Sequence, residues 1–131
     1  MTSLASLLSG LITALQVHPI CHKVTVIETK EFSSDQFFFK IRVELEGDYK
    51  LQARVYYNRG HMDYAYQFFA DLPLMRWDNK EEFRHLATFP HHYHDMNGDV
   101  KPSDLAGNPI TDMKTVLNEI GLFISAPDNS E

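Results

Sequence analysis

Four of the seven histidines of this chain fall between Arg76 and Ser103, in the stretch RWDNKEEFRHLATFPHHYHDMNGDVKPS. Imidazole exchanges its proton near neutral pH, so a cluster of imidazoles beside an arginine and a carboxylate points to acid–base work. In His91-His92-Tyr93-His94, strand alternation sends His92 and His94 to one face and His91 to the other. Cleaving RNA without a metal needs three things: a base for the 2′-hydroxyl proton, an acid for the leaving 5′-oxygen, and a cation for the charge that builds on phosphorus. His92, His94 and Arg76 are of the right types, with Asp78 to orient one ring and His91 in support. This reading assigns no metal ligand and no cofactor. A competing reading gathers His85, His92, His94 and Asp95 around zinc or a similar ion, although no HExxH spacing or paired cysteine anchors it. The plainest alternative for Arg76 and Asp78 is a same-face strand salt bridge. His18, His22 and His61 each stand alone at a loop or element end.

The elements that must position these residues are read from periodicity. Leu4, Leu7, Leu8, Leu11, Ile12 and Leu15 follow the stripe of an amphipathic helix that Pro19 closes, placing a first helix within residues 1–20. From Lys23 the period becomes two, and Phe37, Phe39, Ile41, Val43 and Leu45 alternate with Phe38, Lys40, Arg42, Glu44 and Glu46. A hairpin loop at Gly47-Asp48-Tyr49 pairs Leu45 with Leu51, Val43 with Ala53 and Ile41 with Val55. That register sets Arg42 opposite Arg54 on the outer face. Like charges so placed repel unless Glu44 or another carboxylate neutralises them, the register differs, or an anion such as phosphate lies between them. The last possibility makes Arg42 and Arg54 candidates for substrate binding.

A further strand after the Asn58–His61 loop carries Tyr64, Tyr66 and Phe68 on one face, and a turn at Asp71–Pro73 leads to a strand with Met75 and Trp77 inward and Arg76 and Asp78 outward. Lys80 to Leu86 reads as a short helix or excursion, Thr88 to His94 as a last strand, Asn97-Gly98 as a turn and 102–109 as loop. Met113, Val116, Leu117 and Ile120 mark a C-terminal helix within 111–125, with Thr111 or Asp112 as N-cap and Gly121 as its stop; the tail from Ala126 reads as frayed. The expected fold is α+β, with an antiparallel sheet of four to six strands over residues 23–103 packed by an N-terminal and a C-terminal helix. Period-two aromatics suit the core of such a sheet, but Tyr64, Tyr66 and Trp77 would stack on bases where exposed, and Tyr66, Asn79 and His85 complete the substrate-binding candidates.

At 131 residues, residues 1–131 form one domain. The single cysteine, Cys21, excludes an intramolecular disulfide framework and a multi-cysteine zinc site, and fits a reducing cytoplasm. The apolar run Leu4–Leu15 lacks the basic flank of a signal peptide, and no stretch approaches the length of a membrane span. A net charge of −6 argues against broad, sequence-independent nucleic-acid binding but leaves room for a local basic site. No Gly-rich phosphate loop, Rossmann fingerprint or cysteine-nucleophile motif is present.

The block from Tyr64 to Ser103, with Arg76-Trp77-Asp78-Asn79, Phe89-Pro90-His91-His92-Tyr93-His94 and Pro102-Ser103 followed by the Met113–Ile120 helix, resembles the TumE-like toxins of prokaryotic toxin–antitoxin modules. The resemblance covers about the last two-thirds of the chain and leaves out the first helix. It departs from the family pattern at Lys80-Glu81-Glu82-Phe83-Arg84-His85, where Pro-His-His is common, and at Tyr93, where lysine is common. The resemblance implies a cytoplasmic growth inhibitor held in check by an antitoxin encoded by a neighbouring gene, with RNA as the plausible target and a homodimer as a possible state. The competing classes are a non-catalytic interaction protein with structural or pH-responsive histidines, and a metal-dependent hydrolase.

Overall fold

In the computed structural model, which describes residues 2–126, the chain forms a seven-stranded antiparallel sheet in simple sequence order with two helices packed on one face. The strands are β1 (Cys21–Ser33), β2 (Gln36–Leu45), β3 (Lys50–Asn58), β4 (His61–Phe69), β5 (Pro73–Asp78), β6 (His92–His94) and β7 (Val100–Pro102), flanked by helices α1 (Leu4–Gln16) and α2 (Pro109–Ser125). The α+β class stands, with seven strands in place of four to six. The additional pairing comes from β7, a three-residue strand between the Asn97-Gly98 turn and the loop, which continues the sheet beyond the histidines and overlaps the segment expected to be loop only at Pro102.

α1 begins at a capping box in which Ser3 and Ser6 satisfy each other's backbone N–H groups, and it buries Leu7, Leu11, Ala14 and Leu15. α2 starts earlier than the hydrophobic stripe suggests. Asn108 accepts a hydrogen bond from the Ile110 N–H at 3.1 Å and Pro109 occupies the first turn, so neither Thr111 nor Asp112 is the cap. Gly121 lies inside the helix instead of ending it, and Ala126 is the C-cap; the tail beyond Ala126 lies outside the described residues. The two helices meet closely at Gly10, where a Cβ would come within 2.5 Å of the Ile110 side chain.

The face under the helices is apolar and dry, built from Phe37, Phe39, Ile41, Val43, Leu51, Val55, Tyr66, Phe68 and Trp77 together with the helix stripes. Burying such side chains contributes about 1.5–3 kcal/mol each, so this face dictates which side of every strand looks outward. The other face is open. Its cross-strand rows can be followed through the pairing: Arg42, Gln52, Gln67, Arg76 and His94 form one row, and Lys40, Arg54, Ala65, Asp78 and His92 the next.

Those rows correct the expected hairpin register. The β2–β3 loop is Glu46-Gly47-Asp48, with Gly47 and Asp48 both at positive φ and the Leu45 N–H donating to the Tyr49 carbonyl at 2.8 Å. Val43 therefore faces Leu51, Ile41 faces Ala53 and Phe39 faces Val55. The inward and outward sets are unchanged, because the shift amounts to two residues. Arg42 does not oppose Arg54. It opposes Gln52 and donates to its side-chain oxygen at 2.8 Å, while Arg54 opposes Lys40.

Candidate active site

The site lies at the edge of the open face where β5 pairs with β6, so that Arg76 stands opposite His94 and Asp78 opposite His92. Trp77 is buried on the helix side, which fixes the parity of β5 and turns Arg76 and Asp78 outward as alternation predicts. The segment between β5 and β6 forms turns without a regular helix and folds back over the sheet, bringing the Phe83 ring to 4.7 Å from the His92 ring centroid. Asp78 and His92 are therefore buried although they sit on the open face, with 4% and 1% of their surfaces exposed.

Asp78 is the hub. Its Oδ2 accepts from Arg76 Nε at 2.9 Å, and its Oδ1 accepts from the Lys80 backbone N–H at 3.0 Å. Oδ1 also lies 2.7 Å from His92 Nε2, too bent to count as a hydrogen bond, and Oδ2 is 3.6 Å from His94 Nε2. The remaining nitrogen of His92, Nδ1, is 3.2 Å from the Pro90 carbonyl. Both ring nitrogens of His92 thus face acceptors, and a neutral ring has one N–H to give.

His94 is the more accessible imidazole, with about a third of its side chain exposed, and its ring rests edge-to-face on His92 at 4.9 Å. Burial, the largest cause, lowers its pKa, helped by His92 and Arg76 and opposed by Asp78. It therefore carries a free lone pair at neutral pH. Arg76 is 45% exposed and its Nε donates to Asp78, while its two terminal nitrogens make no hydrogen bond among the described residues.

The other candidates divide. His91 lies on the opposite side of the sheet from His92, its Nδ1 2.8 Å from the Tyr64 hydroxyl and its ring stacked on Tyr64 at 5.8 Å, so it does not join the cluster around Asp78. Asn79 is buried and clamps β4, accepting from the Tyr64 N–H at 2.9 Å and donating to the Met62 carbonyl at 2.7 Å, so both ends of its amide are committed to the sheet backbone. Tyr66 is fully buried and stacked on Tyr64, so no base can reach its ring. His85 is exposed on the covering segment and meets only Phe83 edge-on at 6.4 Å. Arg42 and Arg54 do share the open face with Arg76 and Asp78.

The expected metal set does not assemble. Asp95 organises its own turn, accepting from the Asn97 and Asp99 N–H groups and pairing with Lys101 Nζ at 2.7 Å, and His85 stands apart. The group that could hold an ion is Asp78, His92 and His94, whose ligand atoms lie within 4.8 Å of one another. Phe83, which seals His92, and Ala65, whose small side chain opens a hollow between Arg54 and Asp78, carried no signal in the sequence. Their roles exist only once the segment folds over and the strands pair.

No helix among the described residues is long and apolar enough to cross a membrane. No curated protein and no solved structure matches the chain. A family model described as Toxin TumE matches residues 11–124, a span that runs from within α1 into the last turn of α2 and so takes in most of the first helix's second half. The whole of the sheet, including Arg76, Asp78, His92 and His94, lies inside that match, and the chain belongs to the TumE family, the toxin component of a toxin–antitoxin module.

Proposed function

We propose that this toxin is an endoribonuclease that works without a metal ion, with the scissile phosphate held between Arg76 and His94 on the open face. The observation that carries the reading is the pairing of an accessible, lone-pair-bearing imidazole with an arginine whose terminal nitrogens are free, both set in place around one buried carboxylate. His94 takes the proton of the 2′-hydroxyl. That oxygen attacks phosphorus while the bond to the 5′-oxygen breaks, leaving a 2′,3′-cyclic phosphate, and Arg76 stabilises the charge on the phosphoryl oxygens. His92 is too buried to touch RNA, so it serves as a positioning residue for Asp78, and the leaving oxygen takes its proton from water in the groove.

Charge supports an RNA ligand despite the net −6. Lys40 and Arg54 stand directly opposite each other, and neither forms an ion pair among the described residues. Glu28, across from Lys40 in the β1 pairing, is taken up by Lys30 at 3.2 Å. Like charges left opposite one another on an exposed sheet face favour an anion between them. The same reading carries a cytoplasmic setting and a cognate antitoxin encoded nearby.

The test is cleavage of single-stranded RNA by the purified protein in excess EDTA, read by end mapping. Cyclic-phosphate ends, protection by a 2′-deoxy substitution at the cut, and loss in His94→Ala are expected. Intact RNA with a folded wild-type protein, from a chain that arrests growth when expressed, would sink the ribonuclease reading.

One observation favours a second reading, a metal-dependent hydrolase. With Nδ1 donating to Pro90, the Nε2 lone pair of His92 faces a carboxylate oxygen, and a cation between them would resolve the clash. The Arg76 guanidinium on the same carboxylate opposes a dication there, which ranks this reading second. Metal analysis of the purified protein, and activity that EDTA removes and one divalent ion restores, would reverse that order.

A further inference from the structure

The geometry points to a nucleobase subsite in the hollow over Ala65, lined by Phe38, Tyr56 and Arg54, that seats a base of the same RNA strand whose phosphate reaches Arg76. The inference rests on the RNA reading above and adds a binding site for which the acid–base chemistry gives no account.

The hollow has a volume of about 450 Å³ and runs across β2 to β5. Its floor is Ala65, the small residue in a row otherwise made of Lys40, Arg54, Asp78 and His92. One step along the strands, Phe38 opposes Tyr56 and Tyr56 opposes Asp63, so two half-exposed aromatic rings stand side by side on the solvent face of the sheet. Aromatic side chains belong on the helix side of this sheet, where the core takes them up. On the open side they remain available for stacking, and an antiparallel sheet that offers aromatic rings beside cations is a general way to hold unpaired bases.

The polar groups fit the same ligand. The Arg54 guanidinium lies 5.8 Å from the Phe38 ring centroid, a loose cation–π contact that a base can displace or share. The Tyr56 phenol oxygen accepts from Gln36 Nε2 at 2.7 Å, which anchors the tip of the ring. Asp63, bridged to His61 at 2.9 Å, offers carboxylate oxygen to the N–H edge of a base. The hollow shares Arg76, Asp78 and Lys80 with the candidate active site, so it continues that site instead of forming a separate one. Tyr56 lies two strands, or about 10 Å, across the sheet from β5, and its partner Asp63 is four residues, or about 13 Å, along β4 from Gln67, the partner of Arg76, so the two sites are roughly 16 Å apart, a span of a few nucleotides of one strand.

The experiment measures RNA binding by fluorescence anisotropy on full-length protein carrying His94→Ala to prevent cleavage, with and without Phe38→Leu and Tyr56→Leu. Leucine keeps apolar volume and removes the ring, and circular dichroism confirms the fold; Phe38→Met and Tyr56→Gln serve if either variant unfolds. Each loss of a ring should weaken binding about 5- to 150-fold, the range that base–aromatic stacking gives. An oligonucleotide scan with single abasic positions should find one position whose loss costs as much and is no longer felt in the variants. Binding by the His94→Ala protein that stays within twofold in every ring variant would overturn the subsite and leave the RNA reading standing. Failure of the His94→Ala protein and the wild type to bind any RNA would overturn the RNA reading itself, and the subsite with it.

Discussion

His91 and His92 are neighbours in the chain and end on opposite sides of one sheet, in surroundings of different kinds. On the helix side, His91 meets the Tyr64 hydroxyl and a parallel tyrosine ring. The nearby carboxylate, Asp112, is spent on the Ala106 and Gly107 N–H groups at 3.0 and 2.7 Å. The Asp112 contacts tie the loop before α2 to that helix, and the His91 contact ties the turn before β6 to β4. On the open side, His92 keeps an orphaned Nε2 against Asp78, beside an arginine with spare donors and a second imidazole open to solvent. The helix side has an orphan of its own, the Tyr66 hydroxyl, but it is sealed in the core, whereas the cluster of Arg76, Asp78 and His94 borders a hollow open to solvent and is placed for a ligand.

The largest effect that would sharpen this contrast is on chemistry. His94→Ala should lower RNA cleavage by about 10²- to 10⁴-fold, the range for loss of a general base, with the melting temperature little changed. His91→Gln should leave the rate within about threefold. A larger loss in His91→Gln, measured on folded protein, would erase the division between the two sides.

Next comes stability. Asp78→Ala removes the acceptor of Arg76 and of the Lys80 N–H and leaves the His92 ring buried without its neighbour, and should cost about 3 kcal/mol in denaturant unfolding, the upper end for leaving buried polar groups unsatisfied. His91→Gln removes one hydrogen bond to Tyr64 and should cost about 1 kcal/mol. Similar costs for the two would show that Asp78 is no hub.

The pH dependence of folding is a smaller effect. Burial, the largest cause, lowers the His91 pKa below 6.5, as it does for His94. The unfolded chain then binds more protons than the folded one just below pH 6.5, so these two rings make stability fall as pH drops through that window. The slope should flatten in His91→Gln, as followed by urea midpoints. Smallest is a reactivity effect: burial raises the Cys21 thiol pKa to about 11, so a thiol-selective reagent at pH 8 should label it well below the rate of an unfolded control.

Much of the fold was legible because it follows from apolar periodicity. The Leu7–Leu15 stripe, the outward turn of Arg76 and Asp78 beside a buried Trp77, and the separation of His91 from His92 and His94 all depend on which side of an element must leave water. Apolar periodicity leaves the β2–β3 register open by two residues, since moving the loop from Gly47-Asp48-Tyr49 to Glu46-Gly47-Asp48 preserves the same inward set and hydrophobicity does not tell the two apart. The start of α2 lies outside the hydrophobic stripe, because Asn108 and Pro109 act through capping.

The sequence alone determined which side chains share a face, because alternation in a strand is a local property of the backbone. Only the tertiary structure decided what each of them does there. Phe83 comes from the covering segment to bury His92 and leave His94 open, and Tyr66 and Asn79 are drawn into the core. Strand pairing sets Lys40 against Arg54 and places Ala65 beneath a hollow. Burial and opposition depend on residues far apart in the chain, and neither can be read from the spacing of one segment.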